Sequence, residues 1–345
     1  IEGTLWDGGL GFELDVFYRL REDILAVPTE GVPFNFGASL PRTNINTRDN
    51  RGFDLMLKHQ GKIGSVKYEI NPMISWARGK YVSWDENLLP TTGVDDATLA
   101  NNLAYNNRYA RTGQWDDNQW GFNTTGFFTS QNQIDNHPVD ADNAGNQTVI
   151  VGDLIFVDQN GDGIIDWKDQ VQIGKGGMPK WNYSTWTNAS WGNWSVSALF
   201  QGAAGYSINF NMWQGLNSHQ SIPTQVAYDN RSIKGANGDV EVLRKFPPAN
   251  NTGGVPTISN RSNDFSRIDA MYLRLKTLNI GYKIPKNITD KLGLDQIQLY
   301  IAGNNVFTLD NLGVYSGLYD PEITGSQNNS YPTTKSWTTG LKVNF

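Results

Sequence analysis

Apolar side chains return at every second residue along about eight segments of this 345-residue chain, and the connections between those segments alternate between short and long. A period of two sends successive side chains to opposite faces of a strand, so each such segment has one apolar and one polar face. Residues 9–20 set Phe12, Leu14, Val16, Tyr18 and Leu20 against Glu13, Asp15 and Arg19. Residues 51–59 set Phe53, Leu55 and Leu57 against Asp54 and Lys58, and residues 66–76 set Val66, Tyr68, Ile70, Ile74 and Trp76 against Lys67, Glu69, Asn71 and Ser75. A weaker strand over 181–191 turns through Gly192-Asn193 into Trp194, Val196, Ala198 and Phe200. In 271–282 the apolar parity flips near Thr277, from Leu273 and Leu275 to Leu278, Ile280 and Tyr282, which is what the extra residue of a β-bulge produces. Ile297, Leu299 and Ile301 carry the next strand, and residues 335–345 the last.

The long connections are expected at about 21–50, 79–178, 205–269 and 309–334, all at one end of the sheet. Short turns at one end and long loops at the other are the pattern of a transmembrane antiparallel β-barrel, and a β-sandwich has no reason to sort its loops this way. Mean hydropathy is negative and no run of about 18 apolar residues occurs, so a membrane-spanning helix is excluded, whereas a barrel strand needs only every second residue in lipid. Trp6, Trp76, Trp191, Trp194 and Tyr282 fall near the expected strand ends, where amphipathic rings settle at a membrane interface. The final strand places Trp337, Thr339, Leu341, Val343 and Phe345 on one face, and the terminal Phe345 resembles the insertion signal of Gram-negative outer-membrane proteins. Ile1 to Trp6 reads as the tail of a preceding strand, and four loops of this size exceed what an eight-stranded barrel usually carries. The expectation is therefore the C-terminal portion of a larger barrel, in a mature protein that begins upstream.

Residues 158–169 space oxygen donors as a calcium loop does. Asp158, Asn160 and Asp162 take positions one, three and five, Gly163 the turn, Ile164 a carbonyl position, and Asp166 and Asp169 positions nine and twelve. Without Cys or His in the set, the hard oxygens suit a structural Ca²⁺. Position twelve is Asp rather than Glu, and helices do not visibly flank the loop. Catalytic motifs are otherwise absent. His59, His137 and His219 are isolated, and pairs such as Asp95-Asp96 read as solvated loop charges. No enzyme activity is expected. Slight acidity disfavours nucleic acid as a partner, and the lack of cysteine fits an envelope protein. Among the loop aromatics, Trp84, Trp115, Trp120, Trp213, Tyr315 and Tyr319 are candidate ligand contacts beside neighbouring Asn, Gln and Asp.

Several segments resemble the SusC/RagA family of TonB-dependent transporters of the Bacteroidetes outer membrane. They are Asn46-Thr-Arg-Asp-Asn-Arg-Gly-Phe-Asp-Leu55, Gly126-Phe-Phe-Thr-Ser-Gln-Asn-Gln-Ile-Asp135, the stretch from Gly152 to Asp166, Pro179-Lys180-Trp181, Phe200-Gln201-Gly202, Tyr272 to Tyr282, Ile301-Ala-Gly-Asn-Asn-Val-Phe307, Tyr319-Asp-Pro-Glu322 and Phe345. The resemblance implies a barrel of about 22 strands with an N-terminal plug. It implies energy supplied through TonB, a SusD-like lipoprotein lid, a setting in lipid and lipopolysaccharide, and oligosaccharide or peptide cargo. The plug and the TonB-contacting segment would belong to sequence outside this chain. A secreted calcium-binding β-sandwich or lectin is the alternative; it would be soluble without detergent.

Overall fold

The computed structural model describes residues 1–28, 40–86, 88–209, 229, 233–237, 239–242, 258, 261–317, 319–323 and 333–345. Nine strands pair in one antiparallel sheet. Strand β1 (Glu2–Leu5) turns into β2 (Leu10–Ala26), which pairs with β3 (Thr43–Ile63), and β3 pairs with β4 (Val66–Ser83). The chain then leaves the sheet for a long excursion carrying α1 (Asp96–Tyr109), β5 (Asn118–Gly121), β6 (Thr124–Phe127), α2 (Gln131–Asp135), β7 (Leu154–Phe156) and β8 (Val171–Lys175). It returns as β9 (Trp181–Trp191) and β10 (Trp194–Asn209). A separate pair, β11 (Ile233–Lys234) with β12 (Val240–Val242), precedes β13 (Arg267–Lys283). After a short α3 (Lys286–Thr289) come β14 (Gln296–Asp310) and β15 (Ser336–Asn344), giving the order β1-β2-β3-β4-β9-β10-β13-β14-β15.

Register carries one apolar face across the sheet. Phe12 lies opposite Leu57, Leu55 opposite Ile74, Val196 opposite Ile280, Ile280 opposite Ile301 and Leu299 opposite Leu341. Among the described residues nothing covers this face at several points: Val16 is 75% exposed, and Trp337 and Leu341 are close to 60%. The other face carries Glu13, Asp15, Lys58, Glu69, Gln298 and Lys342. Two aromatic rows bracket the apolar belt. At the short-turn end Trp191 stacks on Trp194 at 6.5 Å and Trp194 meets Tyr282 at 4.7 Å; at the loop end Phe53, Trp76 and Trp181 cluster with centroids 6.0–6.4 Å apart. The tight turns use left-handed glycines, Gly64 between β3 and β4 (φ 60°) and Gly192 between β9 and β10 (φ 54°). Gly202 leaves room for the Tyr183 ring, whose hydroxyl donates to the Tyr272 carbonyl at 2.6 Å.

The expected bulge is present one residue from Thr277. Pairing of β10 with β13 steps from Leu199–Thr277 to Phe200–Leu275, leaving Lys276 as the extra residue, and β14 answers with Asn305 at φ 50°. Strand ends differ from the expected ones. Strand β2 continues past Arg21 to Ala26, with its register shifted between Arg21 and Ile24, β3 begins at Thr43, β4 runs to Ser83, β10 to Asn209, β13 starts at Arg267 and β14 reaches Asp310. The long connections are correspondingly narrower than 21–50, 79–178, 205–269 and 309–334, and Trp76 stands inside β4 rather than at its end. Backbone pairing continues past the apolar belt into polar sequence, where alternation gives no signal.

Candidate functional site

The excursion between β4 and β9 builds a small domain with its own core. Phe122, Phe127, Phe128, Ile134, Val149, Val151, Leu154, Phe156 and Ile165 pack together with Ile258, and Phe128 and Leu154 have no exposure at all. Helix α1 starts at Asp95, whose carboxylate accepts from Thr98 N and Oγ1; those bonds hold it below the usual carboxylate range. The domain is pinned to the wall at the loop end. Residues 113–116 add to the edge of β4 above the point where β9 begins: Tyr81 N donates to the Gln114 carbonyl at 2.9 Å and Asp116 N to the Gly79 carbonyl at 3.1 Å. Ion pairs reinforce the seam. The buried Asp117 carboxylate receives Arg78 Nε at 2.9 Å and faces Lys180 Nζ at 3.2 Å, and Asp116 pairs with Arg48.

Trp115, in this seam, lies over Arg78 with the guanidinium carbon 4.3 Å from the ring centroid, and touches the Trp76 ring edge-on at 6.4 Å. On its other side opens a cleft of about 390 Å³ lined by Tyr81, Arg108, Tyr109, Arg111, Trp115 and Trp120, with the amides of Gln114, Asn118 and Gln119. Arg108 leans on two rings, 4.8 Å from Trp120 and 4.9 Å from Tyr109, and its Nε donates to Gln170 Oε1 at 2.7 Å. Flat rings, forked cations and amides on one cleft are the elements of a site that stacks on a ligand and reads its polar groups.

A second seam closes the polar face of the wall. Tyr206, Ile208, Tyr272, Leu312 and Tyr315 form a core beneath residues 311–323. Arg274, 4% exposed at its side chain, gives Nη2 to Asp320 and Nη1 to Glu322, each at 2.6 Å, and Tyr206 donates to the Pro321 carbonyl at 2.5 Å. Burial alone would push the Asp320 carboxyl up, but hydrogen bonds from Thr333 and Arg274 hold it below its ordinary value. A smaller cleft of about 280 Å³ lies between Arg274, Tyr319, Asp320 and Lys335.

No protein-family model matches the chain. It is 25% identical over 371 residues to TonB-dependent receptor P26 of Formosa agariphila and 23% identical over 365 residues to TonB-dependent receptor P3 of the same organism, in each case across 100% of this chain. The chain spans only about a third of those relatives, 34% and 33% of their lengths. Its fold matches the RagAB peptide transporter with a TM-score of 0.65, at 18% identity, over 100% of this chain and 34% of that one. The chain is thus similar in sequence to TonB-dependent receptors and in fold to the RagAB peptide transporter. The RagAB peptide importer in its "closed-closed" state matches at a TM-score of 0.63. The nine strands form part of a β-barrel wall, and among the described residues no helix is long and apolar enough to cross a membrane.

Of the sequence-predicted contacts, Trp115 and Trp120 meet in the larger cleft. Trp84 stacks edge-on against Tyr81 at 4.6 Å, behind the cleft wall. Tyr319 lines the smaller cleft, while Tyr315 is only 6% exposed, with its hydroxyl pushed up to about 12 by burial, and works as core. Trp213 lies outside the described residues. Sequence reasoning missed Arg108 and Arg111, because cations closing a helix read as partners of its C-terminal dipole.

The 158–169 loop is closed by its own backbone. Asp158 accepts from Gly161 N and Gly163 N, Asn160 from Asp162 N, and Asp162 from Ile164 N. Asp166 and the fully buried Asp169 form a reciprocal capping box, and burial pushes the Asp169 carboxyl up. Lys168, unremarked in the sequence, places its ammonium 3.6 Å from Asp162 and 3.7 Å from Asp166. Among the described residues no three carboxylate or imidazole groups converge at metal-binding distance, so the arrangement fits a divalent ion only if these oxygens draw together and displace Lys168.

Proposed function

We propose that this chain supplies part of the wall and of the external loops of an outer-membrane, TonB-dependent importer of oligosaccharides or peptides, with a SusD-like lipoprotein as its lid and a plug contributed by sequence outside the chain. The observation that carries this reading is the exposed apolar belt between two aromatic rows, on a sheet whose long connections all leave from one end. The curated relatives are receptors and the solved neighbour is a peptide transporter; both support uptake rather than catalysis. In this reading the aromatic and arginine-lined cleft of the excursion domain meets cargo or lid at the cell surface. Deleting the full-length receptor should abolish growth on one oligosaccharide or peptide source, with the same loss in a TonB-defective strain. Recovery of the protein in the culture medium, soluble without detergent, would instead favour the secreted lectin-like alternative.

We further infer that Ca²⁺ binds the 158–169 loop through Asp158, Asn160, Asp162, the Ile164 carbonyl, Asp166 and Asp169, as a structural ion. Each carboxylate oxygen retains a lone pair beyond the N–H it accepts. Because Lys168 now provides the counter-charge, K168Q should raise Ca²⁺ affinity in calorimetry, and D162N should lower it. Absence of binding at millimolar Ca²⁺ in both the parent and K168Q removes the ion.

A further inference from the structure

We propose that the cleft between Tyr109 and Trp120 is a carboxylate-binding site in which Arg108 and Arg111 grip an acidic group while Trp120 and Trp115 cover the ligand's flat or apolar part. Two cations open onto one small cleft. Among the described residues no carboxylate lies within ion-pair distance of either guanidinium. The acid that does line the cleft, Asp116, is engaged by Arg48 from the wall. Burial works against the charge on Arg108, and repulsion from Arg111 adds to it while Tyr109 opposes it, so an anion in the cleft would relieve both penalties.

The cation is also held in place before any ligand arrives. Its Nε is fixed by Gln170, and the rings of Trp120 and Tyr109 confine its plane, leaving both Nη nitrogens without an acceptor among the described residues. A planar fork held this way matches the two oxygens of a carboxylate, and its ordering entropy is already met in the free protein. Gln114, Asn118 and Gln119 add neutral donors and acceptors at the rim. A carboxylate is the anionic group that peptides and sugars share, at a chain terminus or acidic side chain in one and at a uronic acid in the other.

The proposal rests on the uptake reading only for this choice of ligands. It is tested by calorimetry on the full-length receptor in detergent, which needs neither TonB nor a gradient, so a failure of import and a failure of binding are told apart. The probes are a glutamate-containing peptide, an oligogalacturonide, their amidated or neutral counterparts, and a sulfated oligosaccharide. At least one carboxylate probe should bind about tenfold or more tightly than its neutral counterpart, and R111Q should remove that margin. Arg111 is exposed, so R111Q leaves the domain core intact, and R108K should keep the charge but weaken the fork. Preference for the peptide or for the uronide names the source. Equal binding of acidic and neutral probes, tighter binding of the sulfated sugar, or an unchanged margin in R111Q overturns the assignment.

Discussion

The wall and the excursion domain solve opposite problems with the same residue types. In the wall, Val16, Trp337 and Leu341 point away from the protein; in the excursion, Phe128, Leu154 and Ile165 are at most 1% exposed. The wall's apolar groups are left uncovered, with lipid as their solvent in the proposed setting, whereas the excursion's bury one another together with Ile258. Backbone groups divide the same way. The wall closes them by long strand ladders, while the excursion uses short ladders and side-chain caps such as Asp95, Ser130 and the Asp166–Asp169 box. Hydrophobicity thus says which residues leave water; topology decides what they enter.

The contrast can be broken first at the excursion core. Phe128→Ala should cost that domain ~3–5 kcal/mol, seen as earlier proteolysis of the 84–180 segment, with barrel insertion unchanged. If the whole barrel melts with it, the two regions are one cooperative unit. Next, Val16→Arg should cost ~2–4 kcal/mol when refolded into bilayers, for a site near mid-membrane, and leave the excursion intact. A neutral effect would mean that face does not meet lipid. Arg274→Ala strands the Asp320 carboxylate and should loosen residues 311–323 by ~2–3 kcal/mol, discounted for the partly open Glu322 and read by hydrogen exchange.

Acid gives the smallest effect, and its sign differs between loops. The folded Asp320 carboxyl is held below its ordinary value, so its contribution is full above the unfolded value near 4 and fades as pH falls toward the folded one. Asp169 is raised, so protonation favours its folded loop and a fall through its folded value adds stability there. Hydrogen exchange between pH 6 and 3 should therefore rise at 311–323 while holding or slowing at 158–169. Parallel behaviour of the two loops would contradict these environments.

The strands and even the bulge at Lys276 were legible because one uncovered apolar face runs across the sheet and holds the sequence to a strict period of two. Where β2 passes Leu20 into Arg21, Glu22 and Asp23, both faces meet water and the same ladder leaves no pattern. The excursion core was not legible for the opposite reason. Phe127, Phe128, Val149, Val151 and Leu154 come from turns and short strands, so they follow neither period. Trp115 and Trp120 stood out as loop aromatics; their arginine neighbours did not, since only tertiary packing shows that Arg108 has no acidic partner among the described residues.

Residues 113–116 add to β4 beyond the reach of β9, and this sets how the surface domain can move. The two wall strands are of unequal height, and the gap between them is filled by the chain's own edge strand rather than left as a bare template. Any tilt of the domain away from that gap has to unzip backbone bonds and separate Asp117 from Arg78 and Lys180. The cleft therefore travels with the rim of the wall as one body, held to it by backbone bonds and ion pairs.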